Sequence, residues 1–114
     1  MIIDHRTYVT QHGRLQEFLD RYEKMALGVQ QQYLGRLVGY FVTDIGPQNQ
    51  VVHLWAYEDM ADRTRRRAQL AADPRWQAYL PKVVPLVERQ ENRILNPAPF
   101  FEPMLRAMLA AAPR

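Results

Sequence analysis

The apolar residues of this chain switch between two spacings four times along its length, and that succession constrains the fold more than any single motif does. From Ile2 to Val9, the residues Ile3, His5, Thr7 and Val9 alternate with Asp4, Arg6 and Tyr8, which is the two-residue period of a strand. From Leu15 the spacing becomes three and four. Leu15, Phe18, Leu19, Tyr22, Met25, Ala26, Val29 and Tyr33 fall on one stripe of a long helix, which Gly35 is placed to end. Arg36 to Asp44 and Val51 to Glu58 are rich in β-branched and aromatic residues on either side of Gly46-Pro47, so they predict an antiparallel hairpin. Asp59 then stands as the N-cap of a helix carrying the run Arg63, Arg65, Arg66 and Arg67. Asp73-Pro74 opens another helix with Trp76, Tyr79 and Leu80, which Pro81 and Pro85 are expected to break. Glu88 to Leu95 predicts a polar last strand, stopped by Pro97 and Pro99.

Strand, helix, strand, strand, helix, strand is the order of a ferredoxin-like βαββαβ unit. The expectation is an α+β protein with a four-stranded antiparallel sheet and helices on one face. Residues 1–100 form the domain, and residues 101–114 form a C-terminal amphipathic helical tail with an apolar stripe of Met104, Leu105, Met108 and Leu109. Polarity suggests that Ile3, Val9, Val52, Leu54 and Ala56 pack under the helices. The other face then carries Asp4, Arg6, Tyr8, His53, Trp55 and Tyr57, a ring-rich surface of the kind that marks an interaction site. Two such sheets face to face would bury it in a homodimer and leave a polar cavity between them.

Composition removes several chemistries. Without cysteine there is no thiolate nucleophile, disulfide or thiolate metal site. The three histidines lack ligand spacing, so no metal and no cofactor is expected. Fifteen basic residues against twelve acidic leave a net charge of +3, a small excess for a nucleic-acid binder, and the arginine run reads as a helix face paired with Asp59, Asp62 and Asp73. No nucleic acid partner is expected. The charged start Met1-Ile2-Ile3-Asp4-His5-Arg6 is unlike a signal peptide, no apolar run is long enough for a membrane span, and a cytoplasmic location is the default.

Several segments together resemble the NIPSNAP family of the dimeric α+β barrel superfamily. They are Arg6-Thr7-Tyr8, Gly35-Arg36-Leu37-Val38-Gly39-Tyr40-Phe41, the stretch from Ile45-Gly46-Pro47-Gln48-Asn49 to His53-Leu54-Trp55-Ala56-Tyr57, then Asp59, Arg63 and Arg66-Arg67, Asp73-Pro74-Arg75-Trp76 and Gln90-Glu91-Asn92-Arg93-Ile94-Leu95. The resemblance spans about residues 2 to 100. It implies a homodimer whose sheets meet across a cavity, with a biochemical activity that the family leaves undefined. At Asp4-His5 the chain departs from the family, which usually has Glu before an apolar residue there.

Asp4, Arg6, Tyr8, His53, Trp55 and Tyr57 are the candidate cavity residues. Strand parity makes Arg6, Tyr8, His53 and Trp55 converge. His53 would be the proton acceptor if the site is catalytic, with Arg6 and Tyr8 steadying an oxyanion; otherwise it bonds a neighbour and closes the cavity floor. Arg6 could equally form an internal ion pair with Asp4 or Glu91. Trp55 and Tyr57 serve either as stacking platforms or as core. Two functions stand at this point: a module binding a small hydrophobic or carbonyl-bearing metabolite or a protein partner, and a cofactor-independent monooxygenase or isomerase.

Overall fold

The computed structural model describes residues 1–112; Pro113 and Arg114, the end of the expected tail, lie outside the described residues. The elements are β1 (Ile2–Thr10), α1 (Leu15–Met25), α2 (Leu27–Tyr33), β2 (Arg36–Val42), β3 (Gln50–Tyr57), α3 (Met60–Ala71), α4 (Pro74–Val83), β4 (Val87–Leu95) and α5 (Glu102–Ala111). A short 3₁₀ turn, Val84–Leu86, joins α4 to β4. The sheet is antiparallel throughout, in the order β2-β3-β1-β4. It is the ferredoxin-like α+β arrangement that the succession of periods predicts, with α1 to α4 on one face.

Two helix boundaries differ from the expectation. The first helix is interrupted at Ala26, where φ reaches −119° two residues ahead of Gly28, a poor helix former. Gly35 does not cap it in the left-handed region; a side chain at Gly35 would put its Cβ 1.8 Å from the carbonyl oxygen of Ala56, so close approach of β2 to β3 requires glycine there. Helix α4 continues through Pro81 to Val83, because the proline removes only one backbone donor near an exposed end. Its start is as read, with Asp73 accepting from the Arg75 N–H at 2.8 Å.

The expected assignment of faces is inverted. The face under α1 to α4 carries Asp4, Arg6, Tyr8, Val51, His53, Trp55 and Tyr57. Val51 packs with Phe18, Tyr22, Tyr79 and Val83, and Trp55 with Val29, Leu34 and Leu70. Ile3, Leu54 and Ala56, expected beneath those helices, lie on the opposite face, where Leu105 and Leu109 of α5 cover them. The physical reason is volume. The large rings bury more apolar surface than the small aliphatic residues do, and the Trp55 indole and the Tyr8 hydroxyl find hydrogen-bond partners on that face. α5 is pinned to its own sheet: the Arg36 guanidinium donates to the carbonyls of Leu109 and Ala112, and Arg106 pairs with Glu58 at 3.2 Å.

Strand β2 contains a bulge. Leu37 pairs with Trp55 but Gly39 with Leu54, so one extra residue sits at Val38. This shift brings Tyr40 opposite His53 and turns its ring toward the helices.

Candidate ligand-binding site

Strands β1 and β3 are neighbours, with Asp4 opposite Trp55, Arg6 opposite His53 and Tyr8 opposite Val51. The six residues singled out in the sequence thus share one face, and they divide into two linked groups.

The first group is ionic. Asp4 is fully buried and its Oδ2 receives Arg6 Nη1 at 3.2 Å and Arg63 Nε at 2.9 Å, while Asn92 Nδ2 lies 3.4 Å from Oδ1. Arg6 therefore forms the internal ion pair with Asp4. Glu91, the other carboxylate considered, instead meets Arg93 at 3.8 Å on the exposed side of β4. Arg6 also donates from Nε to the Tyr8 hydroxyl at 3.2 Å.

The second group is built on His53, of which 1% is exposed. Trp55 donates its indole N–H to His53 Nδ1 at 2.9 Å. An indole is only a donor, so Nδ1 holds a lone pair and the imidazole proton sits on Nε2. Nε2 is buried with no hydrogen-bond partner. The Tyr8 ring meets His53 edge-on at 4.9 Å, and Tyr40 stacks on it at 4.8 Å. Burial, with the charge of Arg6 adding to it, pushes the His53 pKa down to about 3. His53 is thus a neutral donor at physiological pH, and the proton-acceptor role expected for it does not match this tautomer.

Beside these groups lies a cavity of about 380 Å³, within the range of small-molecule sites. Tyr8 and His53 form its sheet wall, Phe18 and Tyr22 of α1 and Trp76 and Tyr79 of α4 its helix wall, and Glu88 to Gln90 of β4 border it. Of the six sequence-derived residues, only Tyr8 and His53 line it. Asp4 and Arg6 lie behind Tyr8, and Trp55 and Tyr57 belong to the core. Tyr22, Gln30, Trp76, Tyr79 and Tyr40 were not legible as site residues. Their signal was a phenol, indole or amide at a position facing the core, where an aliphatic residue would pack at no polar cost. The Tyr22 hydroxyl donates to Gln30 Oε1 at 2.5 Å, and burial drives the Tyr22 and Tyr79 hydroxyls well above the usual phenol range, so both stay protonated.

The arginine run is turned inward more than expected. Arg65 and Arg66 hold Asp62 Oδ1 at 2.6 and 2.7 Å, and Arg63 reaches past the helix to Asp4. Among the described residues no group of His, Asp or Glu is arranged to hold a metal ion, and no helix is long and apolar enough to cross a membrane.

Such a sheet, closed by helices over an aromatic cavity with a waiting donor, defines a ferredoxin-like α+β domain with an internal binding-sized site. The NIPSNAP family model matches residues 3–102, and the chain belongs to that family. It is 34% identical over 97 residues to human protein NipSnap homolog 3A, a match covering 83% of this chain and 38% of that protein. The chain spans no more than two-fifths of the length of the curated relatives it matches. A NIPSNAP family protein of unknown function from Agrobacterium tumefaciens superposes with a TM-score of 0.85 at 45% identity, covering 88% of this chain and 90% of its own. An antibiotic biosynthesis monooxygenase, 15% identical over 87% of this chain and all of its own, has a TM-score of 0.63 and shares the fold alone.

Proposed function

We propose that this protein is a homodimeric binding module that takes a small, largely apolar molecule bearing a carbonyl or similar acceptor oxygen into the cavity between the sheet, α1 and α4. The observation that carries the reading is the buried His53 Nε2–H, which has no acceptor and belongs to a residue lining an aromatic cavity. A buried donor without a partner costs about 1–3 kcal/mol, and a ligand oxygen would recover that loss. Weighing against a monooxygenase or isomerase that begins by proton abstraction is the state of the groups lining the cavity: His53 offers a proton, and the carboxylate of Glu88 is exposed at the border.

The test is a calorimetric comparison of 2-acetylnaphthalene with 2-ethylnaphthalene, two probes of like shape that differ in the carbonyl. The ketone should bind once per chain and roughly tenfold more tightly. Equal affinities, or no saturable binding of the ketone, would overturn the reading.

The second copy is assigned to the open face of the sheet. α5 covers only its Ile3 and Ala56 end, leaving Val9, Val52 and the 59% exposed Phe41 as an apolar strip. Light scattering should give twice the 13.4 kDa of one chain, and Val52→Arg should halve it. A wild-type monomer at micromolar concentration would refute the dimer.

A further inference from the structure

We infer that the cavity holds its ligand as a single-oxygen anion, a phenolate or enolate, between the Tyr8 hydroxyl and the His53 Nε2–H. This rests on the proposal that the cavity takes a ligand, and it specifies the chemical class.

Tyr8 accepts from Arg6 Nε, which occupies an acceptor site on its oxygen and leaves its own hydrogen to donate elsewhere. The positive guanidinium polarises that O–H. Arg6 is in turn oriented by Asp4, whose oxygens are already engaged by Arg6, Arg63 and Asn92, so Asp4 is a fixed counterion and not a competing acceptor. On the neighbouring strand, the Trp55 indole occupies His53 Nδ1 and thereby directs the imidazole proton to Nε2. The two rings stand 4.9 Å apart at 85° on one cavity wall. Two donors of this kind are the arrangement by which proteins stabilise an oxyanion.

The surrounding charge favours an anion over a neutral carbonyl. On β1, Arg6 and Asp4 face the donors. From α3, Arg63 lies on Asp4 and the charge of Arg67 acts on His53. Arginine charge therefore exceeds the single carboxylate. Glu88 and Arg89 of β4, at the border, offset one another. The remaining titratable groups are protonated phenols: Tyr22 of α1, Tyr40 of β2 and Tyr79 of α4, each raised by burial. A carboxylate has about four acceptor positions and fits two donors poorly, whereas one phenolate oxygen matches them, and its ring suits Phe18 and Trp76 on the helix wall.

The experiment is a pH titration of 4-nitrophenol with excess protein, read by the visible absorbance of its ionised form. Ionisation passes the phenol proton to the buffer and consumes nothing else. Bound nitrophenol should titrate about one pH unit lower than free nitrophenol, and Tyr8→Phe should move the midpoint back toward the free value. The wild-type shift needs no variant, so it stands even where a substitution impairs folding. A bound midpoint equal to or above the free one overturns the inference, since that is what an apolar cavity alone would give. Failure of nitrophenol to bind while 2-acetylnaphthalene does also overturns it and leaves the binding proposal intact; failure of both probes overturns both.

Discussion

Asp4→Asn should lower the stability of the folded protein by about 3–5 kcal/mol. Asp4 is fully buried and its Oδ2 is shared by two guanidinium groups, one of which, Arg6, is itself only 8% exposed. The amide keeps the shape and removes the charge, which strands a buried cation. Urea denaturation followed by tryptophan fluorescence measures the loss. Replacing Asp4→Leu together with Arg6→Met should recover part of it, because the most deeply buried cation goes with the carboxylate and only the part-exposed Arg63 is left without its partner. A cost below about 1 kcal/mol for Asp4→Asn would mean that the carboxylate does not act as the counterion.

Stability should also fall by about 2.5 kcal/mol as the pH drops from 7 to 4.5, through His53. Its pKa is about 3 in the folded protein, held down by burial and then by Arg6, against 6.5 in the unfolded chain. Within that window the unfolded chain binds a proton that the folded chain refuses. The contribution is therefore complete above pH 6.5 and declines as the pH falls toward 3. Asp73, whose carboxyl is held low by hydrogen bonds from Arg75 and Tyr33, contributes in the same direction only below the ordinary aspartate range, so the two are separable. Urea midpoints at pH 7, 5.5 and 4.5 provide the measurement. A His53→Gln variant should lose most of the slope; an unchanged slope would assign it to other groups.

The element order and the grouping of Asp4, Arg6, Tyr8, His53, Trp55 and Tyr57 on one face were legible because spacing fixes both. Which way that face points was not, since the sequence ranks Ile3, Leu54 and Ala56 as the more apolar set and says nothing of α5 arriving from the far end of the chain to cover them. Ring volume decided the matter against polarity. The cavity itself was half legible: Tyr8 and His53 come from strand parity, but Tyr22, Gln30 and Tyr79 come from helices whose rotation about the sheet is settled only by packing. His53 stood out as the proton-exchanging group, yet its protonation depends on which nitrogen the Trp55 indole occupies, a matter of rotamers and not of order along the chain.

The bulge at Val38 makes the placement of the ring stacked on His53 depend on strand register and not on residue kind. Were every residue kept and the bulge closed into a regular pleat, Tyr40 would turn away from His53 to the opposite side, whereas losing one amino acid from that stretch would leave Leu37 and Tyr40 two apart and both still facing the helices. A relative one residue shorter there would keep the same ring beside His53, so a gap near Gly39 is the silent change and an unbulged strand of equal length the telling one.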